Sequence, residues 1–201
     1  GLERKIYPQS DLGLCAQWQA KLPGKFFLFV GMLRYYKGLH VLLEAAAGTD
    51  IPIVILGDGP EERALKEQVK ILGLRNVQFL GALPDTDKAA LLMLCYGLVF
   101  PSHLRSEAFG ITLLEAAMYG KPMISCEIGT GTSFVNLDGE TGLVVPPSDP
   151  TALRQAMRSL FDNPALAAQF GQQAEQRFES LFTAQVMAQK YVQLYNDVLR
   201  P

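Results

Sequence analysis

The sequence predicts an α/β fold, a doubly wound parallel sheet of the Rossmann type that ends in a helical tail. Six short apolar runs lack the polar alternation of a half-exposed sheet, which is typical of strands buried on both faces. Helical patterns lie between the runs, and strands that alternate with helices form parallel sheets. After Pro150 the helical periodicity continues without a further strand signal, which predicts the tail.

The expected elements follow one another regularly along the chain. The six strands are FFLFV (26–30), IPIVIL (51–56), VQFL (77–80), GLVF (97–100), MISC (123–126) and GLVV (142–145). Helices are expected from Gly38, Glu61, Asp87 and Ile111, and the first, second and last of them close on glycine, which favours a helix end.

The chain divides into three expected segments. Residues 1–25 carry no strong pattern and are interpreted as an interdomain linker. Residues 26–182 are expected to form the Rossmann-like domain, and residues 183–201 a C-terminal helix. Two tail helices, near Thr151 and at Asn163-Pro164, begin where a capping side chain precedes proline.

Composition favours a globular cytoplasmic protein. The 201 residues are 49% hydrophobic and carry a net charge of −2, so the chain offers no global attraction to nucleic acid. Three distant cysteines, Cys15, Cys95 and Cys126, predict reduced thiols rather than disulfides or a zinc site. No apolar run could span a bilayer and the first residues do not form a signal peptide, so we expect a cytoplasmic location. Peripheral contact with the inner face of the membrane is left open.

The loop after the first strand has the composition of a phosphate site. Ligands bind outside the carboxyl ends of the strands in such sheets, and this loop runs from Gly31 to Gly38. Gly31 lets a ligand approach the backbone, Arg34 offers paired donors to an oxyanion, and Lys37 supplies a point charge. The alternative is a solvated basic turn. The G-x-G-x-x-G motif of nicotinamide-cofactor sites and the Walker A motif are both missing.

The loop after the fourth strand leads into a helix and carries two candidate carboxylates. Free amides near Phe109, Gly110 and Ile111 would face an anion at the helix start. Glu107 lies in the loop, where an acid can also act as a structural cap. Glu115 lies about one turn into the helix, within an apolar run, where a buried carboxylate needs a hydrogen-bonding partner such as a ribose diol.

The Glu107 and Glu115 spacing within SEAFGITLLEAAMYGKPMI, with the upstream basic loop, resembles the retaining GT-B glycosyltransferases of the group-one family. The resemblance covers nearly the whole chain and includes VILGDGPEERALK, NVQFLGALPDTDKAALL, GTGTSFV and GETGLVVPPSDPTAL. It implies the C-terminal, nucleotide-sugar-binding domain of a GT-B fold. The implied partners are a nucleotide-sugar donor and a missing N-terminal acceptor-binding domain.

The resemblance also implies a role for each matching residue. Glu115 would bind the ribose hydroxyls, Glu107 would face the donor sugar, and backbone near Leu83 would meet the base. Residues 129–132 would support the same cleft. The implied donor-binding residues are Gly31, Arg34, Lys37, Leu83, Phe109, Gly110, Ile111 and Glu115.

Catalysis is implied to depend on Glu107, Arg34 and Lys37. Breaking the sugar–phosphate bond leaves negative charge on the diphosphate, which the two cations and the helix amides would stabilise without a metal or another cofactor. The family usually has arginine where Met32 stands, so Arg34 is interpreted as its substitute. Attack by the acceptor on the donor's own face is favoured, and Glu107 is the alternative nucleophile of a double displacement.

Several alternatives remain open. Asp85-Thr86-Asp87 matches a D-x-D metal motif, but Pro84 before it favours a helix start. His40 and His103 are interpreted as structural or solvated.

The activity that the resemblance implies is transfer of a hexosyl group from a GDP- or UDP-linked sugar to a saccharide or lipid-linked acceptor, in cell-surface polysaccharide synthesis. The segment GTGTSFVN resembles mannosyl- and related hexosyltransferases of cell-surface polysaccharide assembly, and this resemblance favours GDP-mannose. A binding module without turnover of its own and a sugar-nucleotide epimerase are the competing functions.

Overall fold

The computed structural model describes residues 1–8 and 11–199 and contains one parallel sheet. Its strands are β1 (Phe27–Val30), β2 (Ile53–Leu56), β3 (Val77–Gly81), β4 (Gly97–Phe100), β5 (Met123–Cys126) and β6 (Gly142–Val145). Their order across the sheet is β3-β2-β1-β4-β5-β6. Every apolar run coincides with an observed strand, β3 extending one residue further to Gly81, so the predicted fold class is confirmed. β2 begins after Pro52, whose ring provides no amide donor for the sheet.

The helices in the described part of the chain cover both faces of this sheet. They are α1 (Leu12–Lys21), α2 (Leu39–Ala46), α3 (Glu62–Ile71), α4 (Asp85–Leu94), α5 (Ile111–Met118), α6 (Thr132–Val135), α7 (Pro150–Asp162), α8 (Pro164–Leu181) and α9 (Ala184–Leu199). A short 3-10 helix, Tyr35–Lys37, follows β1. The expected helices are present, and α7 and α8 begin at the predicted caps, Asp149 and Asn163.

The core consists of two apolar layers, one on each face of the sheet. Side chains of β1 alternate between them: Phe27 and Phe29 join one layer, and Leu28 and Val30 join the other. All four are buried. This explains why the strand sequences lack polar alternation, because both faces of each central strand contact helices.

The strand order reverses between β1 and β4, which places a crevice at their carboxyl ends. The chain leaves β1 for α2, which packs in the first apolar layer, and leaves β4 for α5, which packs in the second. The two loops therefore diverge to opposite faces of the sheet. In open α/β sheets this switch point is where ligands bind.

The segment predicted as a linker contains a helix that the sequence pattern did not reveal. α1 is capped by Asp11, whose Oδ1 accepts from the amide of Leu14 at 2.6 Å. Trp18 anchors it to α4 by donating from Nε1 to Asp87 Oδ1 at 2.8 Å. Only Cys15 is buried in α1, so no apolar stripe marks it in the sequence. The linker role of residues 1–25 stays a prediction, and residues 9 and 10 lie outside the described part.

The C-terminal helix predicted over residues 183–201 is observed as α9. Residues 200 and 201 lie outside the described part of the chain. No side chain of α9 is buried, and several of its apolar side chains, such as Tyr195 and Val198, are exposed. Within the described residues, no helix combines the length and the hydropathy needed to cross a membrane.

Candidate active site

The loop after β1 lies against the loop after β4 because two backbone features hold it there. The 3-10 helix ends at Gly38, which adopts a left-handed conformation with φ of 69°. A Cβ at Gly38 would overlap the carbonyl oxygen of Pro101 at the end of β4, so only glycine fits. The amide of His103 donates to the carbonyl of Tyr36 at 3.0 Å. The two predicted loops therefore form one continuous surface.

Lys37 and Glu107 form an ion pair across this surface. Lys37 Nζ donates to Glu107 Oε2, and Ser102 Oγ donates to the same oxygen at 3.1 Å. The two charged side chains are only 12% and 11% exposed. The structure brings together two residues that the sequence assigned to the site separately. Because the pair is nearly neutral as a unit, Lys37 must share its charge between Glu107 and any phosphate.

Arg34 is the exposed cation of the same loop. It precedes the 3-10 helix and has extended backbone angles. Its Nε donates to the sulfur of Met32 at 2.9 Å, so the guanidinium lies beside the residue that replaces the expected arginine. This contact places an arginine charge close to the Met32 position.

The start of α5 offers backbone donors to an anion. Gly110 precedes the helix with φ of 81°, and a Cβ there would come within 3.0 Å of Leu113 and 3.1 Å of Phe100. Among the described residues, no acceptor is bonded to the amides of Phe109, Gly110 or Ile111. Unbonded amides at a helix start are attractive to phosphate groups.

Glu115 is buried as expected, but its partners belong to the chain itself. The residue is 6% exposed. Its Oε1 accepts from the Tyr7 hydroxyl at 2.8 Å and from Lys88 Nζ at 3.0 Å. The buried carboxylate does have the hydrogen-bonding partners that the sequence predicted, but Tyr7 and Lys88 supply them to Oε1, so burial alone does not indicate a ligand. The ribose assignment stays a prediction.

The start of α4 connects the predicted base-binding loop to Glu115. Leu83 is partly buried and packs against the second apolar layer. Asp85 and Asp87 lie in the first turn of α4, so the helix-start interpretation of D-x-D is confirmed. Asp85 pairs with Lys88 at 3.0 Å. Within residues 1–8 and 11–199, no cluster of three or more histidine, cysteine or acidic residues could hold a metal ion.

The two histidines support the loop after β1. His103 is buried, and its Nε2 donates to the carbonyl of Tyr35 at 3.0 Å while Nδ1 contacts Ser148 Oγ at 2.9 Å. His40 stacks on the Tyr35 ring at 5.0 Å. Burial, together with the nearby His103, lowers the pKa of His40 below its ordinary value. These contacts give both histidines a structural role in the loop, and their absence from catalysis stays a prediction.

Tyr7 and Lys88 are the site residues that the sequence did not identify. They lie 108 and 27 positions from Glu115, and neither belongs to a motif that points to a carboxylate. Burial, followed by the Glu115 carboxylate, raises the pKa of Tyr7. Burial opposes the charge of Lys88, but Glu115 and Asp85 outweigh it and raise the pKa of this lysine.

The chain is similar in sequence to known glycosyltransferases. The family model described as "Glycosyl transferases group 1" matches residues 16–177. The D-rhamnosyltransferase WbpZ of Pseudomonas aeruginosa is 61% identical over 184 residues, which cover 92% of this chain and 48% of that protein. The O-antigen chain mannosyltransferase C of Escherichia coli is 51% identical, over 95% of this chain and 52% of that protein.

A solved structure shows the same fold. The crystal structure of Anabaena HepE in complex with UDP and glucose has a TM-score of 0.84 and 22% identity, and the match covers 98% of this chain and 55% of that one. The chain thus spans about half the length of the relatives it matches, and its fold is that of one domain of a GT-B enzyme. From its sequence and its fold together, the chain belongs to the group 1 glycosyl transferases.

Proposed function

We propose that this chain is the donor-binding half of a retaining glycosyltransferase that moves a hexosyl group from a nucleotide-diphosphate sugar to a saccharide or lipid-linked acceptor. The observation that carries the proposal is the crevice between β1 and β4. There the Lys37–Glu107 pair, the unbonded amides before α5 and the buried Glu115 share one edge of the sheet. The name of the Escherichia coli relative, an O-antigen chain mannosyltransferase, supports a role in cell-surface polysaccharide synthesis.

Charge stabilisation of the leaving group is the main chemical task assigned to this half. Cleavage of the sugar–phosphate bond leaves negative charge on the diphosphate. Arg34, Lys37 and the amides of residues 109–111 would meet that charge as it develops, which favours the transition state over the bound donor. The proposal assigns no metal and no cofactor to these steps.

Glu107 is assigned to the donor sugar hydroxyls rather than to covalent catalysis. Its Oε2 already accepts hydrogen bonds from Lys37 and Ser102. Donors on a carboxylate oxygen stabilise its charge and lower its nucleophilicity. This supports attack by the acceptor on the donor's own face over a double displacement through Glu107.

Acceptor binding is assigned to the other half of the whole protein, because the relatives are about twice as long as the matched segment. The 201-residue chain is then expected to bind the donor without transferring its sugar. HepE was solved with UDP and glucose, which supports a nucleotide-sugar ligand. GDP-mannose is our preferred donor on the GTGTSFVN segment, with a UDP-sugar as the alternative. We place the whole protein in the cytoplasm, with peripheral membrane contact as a further proposal.

The proposal is tested by equilibrium binding and product analysis on the 201-residue chain. Binding of GDP, UDP, GDP-mannose and UDP-glucose is measured by calorimetry, and radiolabelled donor is then recovered after long incubation with the chain. We expect one nucleotide family to bind and the labelled sugar to stay unchanged. Absence of binding by all four ligands would overturn the proposal. Recovery of an epimerised sugar would support the epimerase instead.

A further inference from the structure

The carboxylate of Glu115 uses its two oxygens differently. Oε1 accepts from Tyr7 at 2.8 Å and from Lys88 at 3.0 Å. A carboxylate oxygen has two lone-pair sites, so these two donors occupy Oε1 completely. None of the described residues donates a hydrogen bond to Oε2. Fully buried polar atoms without a hydrogen-bond partner do occur in the described residues, but Oε2 is not one of them, so it is not fully buried. Oε2 is therefore the oxygen that a ligand can reach.

Both donors to Oε1 hold their protons more firmly than usual. Tyr7 and Lys88 each have a raised pKa, for which the Glu115 carboxylate is one cause in both cases. Lys88 is also held by Asp85, one turn earlier in α4, at 3.0 Å. Rotation of the Glu115 carboxylate would break two charge-assisted hydrogen bonds to Oε1. The orientation of Oε2 is thus fixed before a ligand arrives.

We propose that Lys88 and Tyr7 are positioning residues that hold Glu115 so that the single oxygen Oε2 accepts both hydroxyls of a vicinal diol. The inference rests on the proposed function, which assigns Glu115 to the ribose. Discrimination between ribose and deoxyribose would then come from the Glu115 carboxylate, which is oriented by Lys88 of α4 and by Tyr7 of the segment before α1. Lys88 also pairs with Glu115 at 3.0 Å, so the buried carboxylate, which is 6% exposed, has a cation beside it.

A purely structural ion pair predicts a different result from a positioning role. If the Lys88–Glu115 pair serves only to stabilise the fold, its loss lowers stability and weakens all ligands alike. If Lys88 orients Oε2, its loss weakens only ligands that carry the diol. The difference between a ribonucleotide and its 2′,3′-dideoxy form therefore separates the two roles, independently of any change in stability.

The experiment measures this difference in the 201-residue chain by calorimetry. The probes are GDP with 2′,3′-dideoxy-GDP and UDP with 2′,3′-dideoxy-UDP. In the wild type we expect the ribonucleotide of the preferred base to bind about tenfold more tightly than its dideoxy form, as for a hydrogen bond to a charged acceptor. Lys88→Met is expected to remove most of this preference while dideoxy binding stays within about twofold. Tyr7→Phe is expected to reduce the preference for the ribonucleotide partly, and Lys88→Arg is expected to retain it.

The control is Lys70→Met, an exposed lysine in the last turn of α3, away from the carboxyl edge of the sheet. It should keep the wild-type preference. A Lys88→Met variant that keeps the full preference would overturn the positioning role and leave the ribose assignment intact. A wild type without a ribose preference, or without binding, would overturn the ribose assignment and the inference with it. Thermal unfolding of each variant establishes that the chains compared are folded.

Discussion

Lys37 and Glu107 form a nearly buried ion pair that joins the loop after β1 to the loop after β4. The pair bridges the point where the strand order reverses, so it lies at the entrance to the crevice in which α/β sheets bind ligands. It links a cation proposed for the diphosphate to a carboxylate proposed for the sugar. Under this proposal, donor binding and the structure of the site depend on the same contact.

Removal of the Lys37 charge is predicted to affect stability and binding together. Lys37→Met leaves Glu107 without its cation, and breaking a buried pair from one side costs about 3 kcal/mol of unfolding free energy. Nucleoside diphosphate affinity should also fall by at least about tenfold, since a charge-assisted contact is lost. Chemical denaturation and calorimetry measure the two effects. Lys66→Met, which breaks an exposed ion pair on α3, is the matched control. It should change neither the unfolding free energy nor the nucleoside diphosphate affinity strongly. Unchanged nucleotide binding by Lys37→Met would remove this lysine from the donor site.

Gly110 is predicted to be required for anion binding, in addition to allowing the left-handed backbone at its position. Gly110→Ala places a Cβ at φ of 81° and close to Phe100 and Leu113, which should displace the amides before α5. Gly73→Ala meets a similar conformation, with φ of 64°, but no atom within 4 Å. Both variants should lose about 1–2 kcal/mol of stability from the left-handed backbone. Only Gly110→Ala should also lose nucleoside diphosphate affinity in calorimetry, and equal affinities would argue against the amide site.

The pH dependence of stability is predicted to include a contribution from His40. Its pKa in the folded chain lies below the ordinary value of 6.5, mainly because of burial. The unfolded chain therefore binds more protons, so this contribution is complete above the ordinary pKa and decreases as the pH falls through it. Unfolding free energies of wild type and His40→Phe are compared between about pH 8 and pH 5. The wild type should lose more stability on acidification than the variant, which retains a ring to stack on Tyr35. Parallel pH curves would contradict this.

Metal removal is predicted to leave donor binding unchanged. Asp85 and Asp87 are engaged by Lys88 and Trp18 at the start of α4, and phosphate charge is assigned to cations and amides elsewhere. Calorimetric titration of GDP and UDP is run with EDTA and again with added Mn²⁺. The affinities should agree within about twofold, because no interaction is expected to change. Binding that appears only with Mn²⁺ would assign a metal role to D-x-D.

The sequence identified those parts of the molecule that local patterns determine. Each strand could be predicted because a run such as GLVF, residues 97–100, is buried on both faces. The loops at Lys37 and Glu107 could be predicted because they follow strands at the carboxyl edge. α1 could not be predicted, since it buries only Cys15 and its contact with α4 depends on tertiary packing. The partners of Glu115 were missed for the same reason, because Tyr7 reaches it from 108 residues away.

The crevice is proposed to bind a nucleoside diphosphate through Glu115. Calorimetric titration of the 201-residue chain with GDP and UDP, for wild type and Glu115→Gln, tests it most directly. We predict saturable binding of one nucleotide by the wild type and a loss of about tenfold in the variant, because a neutral amide replaces a charged acceptor. Glu140→Gln, an exposed acid away from the crevice, should bind like the wild type. Equal binding by wild type and Glu115→Gln would contradict the account.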